Sequence, residues 1–171
     1  MTSPIKIGIS ACLIGQPVRY DGEDQRNAMI LDTLGRHAQL VPVCPETECG
    51  LGVPRETMHL VEEQGVIRLL TTESGLEHTE KLLAWSRDKI SELKKKNLAG
   101  FILKSRSPSC GVRSTKIFDD KGGQTATGPG LFARCLQQAF PELPLAEEEE
   151  LRDHTFYTNF LNKLGIRTTA E

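Results

Sequence analysis

Apolar positions along the chain fall into short runs separated by amphipathic stretches. Three runs read as buried strands, being brief, rich in branched residues and cut off by polar or turn residues. They are Lys6–Ala11, which runs into Cys12, Leu40–Val43, which runs into Cys44, and Phe101-Ile102-Leu103 behind Gly100. Met29, Ile30, Leu31 and Leu34 recur at helical spacing and predict a helix over Asn27–His37. The longest helical pattern is Leu76–Asn97, with Leu82, Leu83, Trp85, Ile90 and Leu93 on one side. Its last turn holds Lys94-Lys95-Lys96, a solvated end that suits the helix dipole. Leu131–Phe140 predicts a short amphipathic helix and Leu143–Ala146 a last strand. The acidic run Glu147–Glu150 reads as the N-terminus of a final helix, about Glu148–Leu164, ended by Gly165.

Two pairs of segments carry hairpin grammar. His59–Glu63 and Val66–Thr71 surround Gln64-Gly65, and Thr115–Phe118 and Thr125–Thr127 surround Asp119–Gly123. The alternation predicts an α/β fold: one domain over residues 1–171, with a mainly parallel Rossmann-like sheet flanked by helices and a small β-hairpin insertion. A length of 171 residues, 38% hydrophobic and 26% charged, suits such a core. No segment approaches the roughly 20 apolar residues of a membrane helix, and the N-terminus lacks a signal-peptide core. A cytoplasmic protein is expected. The net charge of −2 argues against a polycation built for nucleic acid, though a local patch stays open.

Five cysteines, odd in number and widely spaced, do not form a secreted disulfide framework. Three of them, Cys12, Cys44 and Cys110, follow the three predicted strands, and ligands in open α/β sheets sit at the carboxyl ends of strands. Thiolates select zinc, copper(I) and iron–sulfur clusters. Cys44-x-x-x-x-Cys49 is a weak zinc signature, and the closely spaced cysteines of a ferredoxin are missing. Dispersed cysteines permit a [4Fe-4S] cluster with one open iron; separate buried thiols are equally compatible with spacing. Cys49 is open between a fourth ligand, a thiol near the site and a small buried side chain, while Cys135 lies on the core face of its helix. Glu46, two residues beyond Cys44, is either a proton-transfer group or a capping carboxylate.

Ser107 and Ser109 bracket Pro108, and either bind a ligand or close the turn. Lys104, Arg106 and Arg113 cluster beside Cys110, while Arg19 and Arg55 follow the other two cysteines. Scattered cations of this kind commonly form a solvated surface. Gly128-Pro129-Gly130 opens a helix and is either an anion cradle or an ordinary helix start. His37, His59, His78 and His154 show no metal-ligand spacing.

ISACLIGQPVRYDG, VPVCPETECGLGVPRE and GFILKSRSPSCGV together resemble the DUF523 family, whose studied members are thiouracil desulfurases. The resemblance covers most of Lys6–Phe140. It implies a [4Fe-4S] cluster held by Cys12, Cys44 and Cys110, leaving one iron free. It carries an acid/base role to Glu46 and a site role to Ser107, with Lys104, Ser105, Arg106 and Ser109 as substrate-binding candidates. The family carries small or aliphatic residues at the position of Cys49, which argues against its being a ligand. The implied reaction replaces the sulfur of a thiolated pyrimidine by oxygen and releases hydrogen sulfide without net redox change. The middle block looks most like members related to tRNA 4-thiouridine desulfidases, some of which carry a further C-terminal domain. Expected partners are therefore 2-thiouracil or 4-thiouridine, free or in tRNA, with no membrane and no obligate protein partner. The alternative is an iron–sulfur sensor or sulfur carrier without turnover.

Overall fold

The computed structural model describes residues 3–167. Its first sheet is built from β1 (Ile5–Ser10), β2 (Ala38–Val43), β5 (Gly100–Leu103) and β8 (Leu145–Glu147), all parallel, in the order β2-β1-β5-β8. Because β1 is central and the chain steps first to β2 and later back across to β5, the strand order reverses at β1. The carboxyl ends around that point form a ready crevice.

Alternation along the strands fixes the two faces. Ile7, Ile9 and Ile102 turn to one side, where α1 (Ala28–Thr33) supplies Ile30 and α5 (His154–Leu164) supplies Phe160, Leu161 and Leu164. Val43, Phe101 and Leu103 turn to the other, against Ile90 and Leu93 of α3 (Thr79–Lys94) and Phe132, Ala133 and Leu136 of α4 (Leu131–Ala139). Phe101 lies so close over β1 that a Cβ at Gly8, its register partner, would stand 2.3 Å from the ring. Burying a large apolar side chain of this kind contributes about 1.5–3 kcal/mol, so this inner layer holds the strand ends rigidly.

The two hairpins do not remain separate. β3 (Met58–Glu63) and β4 (Val66–Thr71) pair antiparallel, as do β6 (Thr115–Phe118) and β7 (Gln124–Gly128), and a parallel β3–β6 pairing joins them into a second sheet, β4-β3-β6-β7. Leu60, Leu69 and Ile117 from this sheet pack with Leu82 of α3 and Leu131 of α4. The expected hairpin insertion is thus a complete four-stranded sheet.

Three helices are shorter than their periodicity predicts. Asn27 caps α1 by accepting from the Ile30 N–H at 3.1 Å, and Leu34–Arg36 tightens to a 3₁₀ turn. The segment before α3 runs beside β4, with the His78 N–H donating to Leu69 O at 2.9 Å, and helix begins only at Thr79. The acidic run does not open the last helix. Glu147 ends β8, Glu150–Arg152 is a 3₁₀ turn, and Asp153 caps α5 by accepting from the Phe156 N–H at 2.8 Å. Gly165 ends α5 with φ 74°, as expected. Among the described residues no helix is long and apolar enough to cross a membrane.

Candidate active site

Each candidate cysteine leaves a neighbouring strand of the parallel sheet at the same edge. Cys12 lies in the 3₁₀ turn that follows β1 directly. Cys44 follows β2 directly and forms the N-cap of α2 (Pro45–Glu48), where its N–H donates to Glu48 Oε2 at 2.7 Å. Cys110 stands beyond β5 in the Lys104–Ser114 loop. All three line one cleft of about 340 Å³, together with Glu46, Lys104, Ser105, Arg106, Ser107 and Ser109. The cleft also collects Arg19, Tyr20 and Arg55. Cys49 and Cys135 lie outside it. Cys49 is half-buried, packs against the apolar cluster that holds Leu60 and Leu69, and its thiol donates to Glu46 O at 3.4 Å, closest to the reading of a small packed side chain. Cys135 packs with the second helix layer.

The Lys104–Ser114 loop is fixed by the acidic run. Glu147, 4% exposed, places Oε1 on three consecutive N–H groups: Val112 at 2.7 Å, Arg113 at 2.9 Å and Ser114 at 3.1 Å. Ser114 Oγ adds a fourth donor at 2.7 Å. Glu148 holds the other end, accepting from the Ser105 N–H at 2.6 Å, from Ser105 Oγ at 2.8 Å and from Lys104 Nζ. Arg106 pairs with Glu149 at 2.8 Å and Arg113 with Glu150 at 2.6 Å. Of the four substrate-binding candidates, Lys104, Ser105 and Arg106 thus line the cleft and also bond to the acidic run, while Ser109 lines it beside Glu46.

Burial raises the Glu147 carboxyl pKa, but the N–H of Arg113, the Ser114 hydroxyl and the N–H groups of Ser114 and Val112 outweigh it and hold the group below its ordinary 4.5. A depressed carboxyl stabilises fully above its ordinary value, and the contribution is lost as pH falls through the lowered one. Glu147→Gln is expected to lower stability by about 1–3 kcal/mol at neutral pH. In urea melts of the apoprotein from pH 7 to pH 3, that difference should shrink toward the acid end.

Helix α4 finishes the loop from below. Its first N–H groups, which the sequence left open as an anion cradle, are taken by the loop: Gly130 by Gly111 O at 2.8 Å, Leu131 by Pro108 O at 3.0 Å and Ala133 by Ser109 O at 3.1 Å. Contact is close enough that a Cβ at Gly130 would stand 2.7 Å from Pro108 O. Within the loop, Ser107 Oγ accepts from the Cys110 N–H at 3.0 Å and shares a bond of 3.1 Å with Ser109 Oγ. Ser109 Oγ donates to Glu46 Oε1 at 3.1 Å. The other oxygen, Glu46 Oε2, accepts from Arg55 Nε at 2.8 Å. The sequence marks Arg55 only as a cation following the Cys44 segment; its pairing with Glu46 is the principal feature that sequence reasoning missed.

The thiols fit a soft polynuclear group better than a single ion. Cys12, Cys44 and Cys110 are unbridged. Among the described residues no group of three His, Cys, Asp or Glu side chains is placed to hold one metal ion. Thiolates on one zinc at about 2.3 Å stand roughly 3.8 Å apart, whereas in a cluster each thiolate takes its own iron and the sulfurs spread. Burial pushes the Cys12 thiol up to about 11, against a lowering by Lys104, and pushes Cys110 higher still.

A family model described as 2-thiouracil desulfurase matches residues 7–148, a span holding every cleft residue named above. The chain belongs to the 2-thiouracil desulfurase family. It is 31% identical over 151 residues to the uncharacterized protein YbbK of Bacillus subtilis (strain 168), covering 85% of this chain and 97% of that one. The solved structure of TudS, a [4Fe-4S]-dependent thiouracil desulfidase, superimposes with a TM-score of 0.68 at 28% identity, over 91% of this chain and 98% of that one. The family's match begins in β1 and ends at Glu148, so it takes in both buried carboxylates that shape the Cys110 loop.

Proposed function

We propose that this member of the 2-thiouracil desulfurase family is a [4Fe-4S]-dependent enzyme that removes sulfur from thiolated pyrimidines, with Cys12, Cys44 and Cys110 holding the cluster. The observation that carries the reading is the convergence of these cysteines, from three adjacent parallel strands, on one cleft that also holds the Glu46 carboxylate. The likeness to TudS, itself a [4Fe-4S]-dependent thiouracil desulfidase, supports the cofactor and the reaction. When bound, such a cluster supplies a Lewis-acidic iron suited to the soft sulfur of a thiocarbonyl.

The remaining chemistry belongs to the chain. Exchange of C=S for C=O consumes one water and yields hydrogen sulfide, so protons move and no electrons do. Glu46 is the group placed to move them. Oε1 takes a proton from the attacking water and returns it to the departing sulfide. Ser109 Oγ donates to that oxygen and is itself hydrogen-bonded to Ser107 Oγ, so the two hydroxyls orient the carboxylate. Because Ser107 also accepts from the Cys110 N–H, the same hydroxyl ties the acid/base group to a cluster ligand.

The cleft's 340 Å³ must take the cluster as well as the reacting group, which leaves room for one pyrimidine base at a time. Lys104, Arg106 and Arg113 are paired with Glu148, Glu149 and Glu150, which removes much of the positive field a tRNA backbone would require. We therefore favour 2-thiouracil and free 4-thiouridine over tRNA. Anaerobic reconstitution with iron and sulfide, followed by sulfide release from 2-thiouracil, 4-thiouridine and thiolated tRNA, tests both points. The expected result is a brown protein that turns over the base and the nucleoside at rates insensitive to salt. Turnover of thiolated tRNA alone, falling steeply with salt, would move the substrate to RNA. A loaded protein that releases sulfide from none of them would leave the sensor reading in its place.

A further inference from the structure

Three segments bordering the cleft meet at Arg55. Its Nε and Nη2 both reach Glu46 Oε2, at 2.8 and 2.6 Å. Nη1 donates to Gly52 O at 2.8 Å, and Nη2 also donates to Val18 O at 2.9 Å. The backbone N–H of Arg55 donates to Tyr20 O at 2.9 Å. The side chain is 8% exposed. Val18 and Tyr20 belong to a strap that leaves Cys12 and forms the cleft wall, and Val18 O also lies 4.0 Å from Cys44 Sγ.

We propose that Arg55 is a positioning residue that locks the rotation of the Glu46 carboxylate and pins the Val18–Tyr20 strap against it; the inference rests on the desulfurase reading. A carboxylate terminal torsion is broad and roughly two-fold, so an unheld Glu46 would exchange its oxygens and wander. Arg55 saturates Oε2 with two donors, which leaves Oε1 facing Ser109 and the cleft. The planar guanidinium fork does this while reaching the Gly52 carbonyl of its own loop and the Val18 carbonyl of the strap. Lysine keeps the charge but, as a point donor, cannot hold all of them. Arg55 therefore works through Glu46 and the strap, without touching substrate.

Arg55→Lys and Arg55→Ala, each reconstituted and compared with wild type, provide the test. Arg55→Lys should load iron normally and lose roughly 10- to 100-fold in kcat per cluster on 2-thiouracil, the scale of a small misplacement of a catalytic group. KM should change far less. Millimolar guanidinium, but not methylammonium, should restore part of the kcat of Arg55→Ala. Hydrogen exchange on the apoproteins adds a reading independent of turnover: amides of the strap should exchange faster in both variants, with those of β1 and β5 unchanged. A wild-type kcat in Arg55→Lys, a loss that only tracks missing iron, or unaltered strap exchange would each overturn the proposal. Absence of turnover in the wild type would instead overturn the desulfurase reading, with strap exchange still reporting on Arg55.

Discussion

Glu46→Gln should lower sulfide release from 2-thiouracil by roughly 10²- to 10⁴-fold, the usual contribution of a positioned general acid–base. The variant removes the proton-transfer group and the charge that Arg55 pairs with, while keeping the side chain's shape. Glutamine has the same shape, its amide oxygen still accepts from Ser109 Oγ or Arg55, and Glu46 touches no cysteine thiol in the hydrogen-bond network through its carboxylate. Iron content and the cluster's visible spectrum should match wild type, so the loss is read per cluster. Full turnover with an intact cluster would remove Glu46 from the reaction and leave it as a structural partner of Arg55.

Single alanine substitutions at Cys12, Cys44 and Cys110 should each leave a folded, colourless protein, whereas Cys49→Ala should load and turn over as wild type does. The three cysteines share one cleft and offer no surplus ligand. Cys49 instead points its thiol at a backbone carbonyl and packs against the apolar cluster that holds Leu60 and Leu69. Iron and acid-labile sulfide measured after anaerobic reconstitution, beside circular dichroism for the fold, check the set. Loss of loading in Cys49→Ala would make it a fourth ligand and close the iron that the mechanism requires to be open.

Strand ends and cysteines were legible because their signal is local: an apolar run that stops at a thiol reads the same way in sequence and in space. The Arg55–Glu46 pairing and the role of the acidic run were not. Four consecutive glutamates before a helix suit the positive end of its dipole, yet tertiary donors decided the outcome. The amides of Val112, Arg113 and Ser114 lie more than thirty residues away in sequence, at separations of 35, 34 and 33 from Glu147. No periodicity reports such a pairing. Sequence is equally silent on the partner of Lys104, which lines the cleft and also places its ammonium on Glu148, 44 residues away. The two hairpins were readable one at a time, but the β3–β6 pairing that fuses them joins segments from opposite sides of α3.

The clasp of Glu147 and Glu148 on the two ends of the Cys110 loop has a consequence for the life of the protein outside the test tube. In small zinc domains the metal organises the chain, and its loss is unfolding. Here the arc that carries Cys110 is shaped by carboxylates and by the first N–H groups of α4, none of which belongs to the cluster. Oxidative loss of the cluster should therefore leave an emptied but standing site. Refilling with iron and sulfide, without new synthesis of the chain, should then restore its activity.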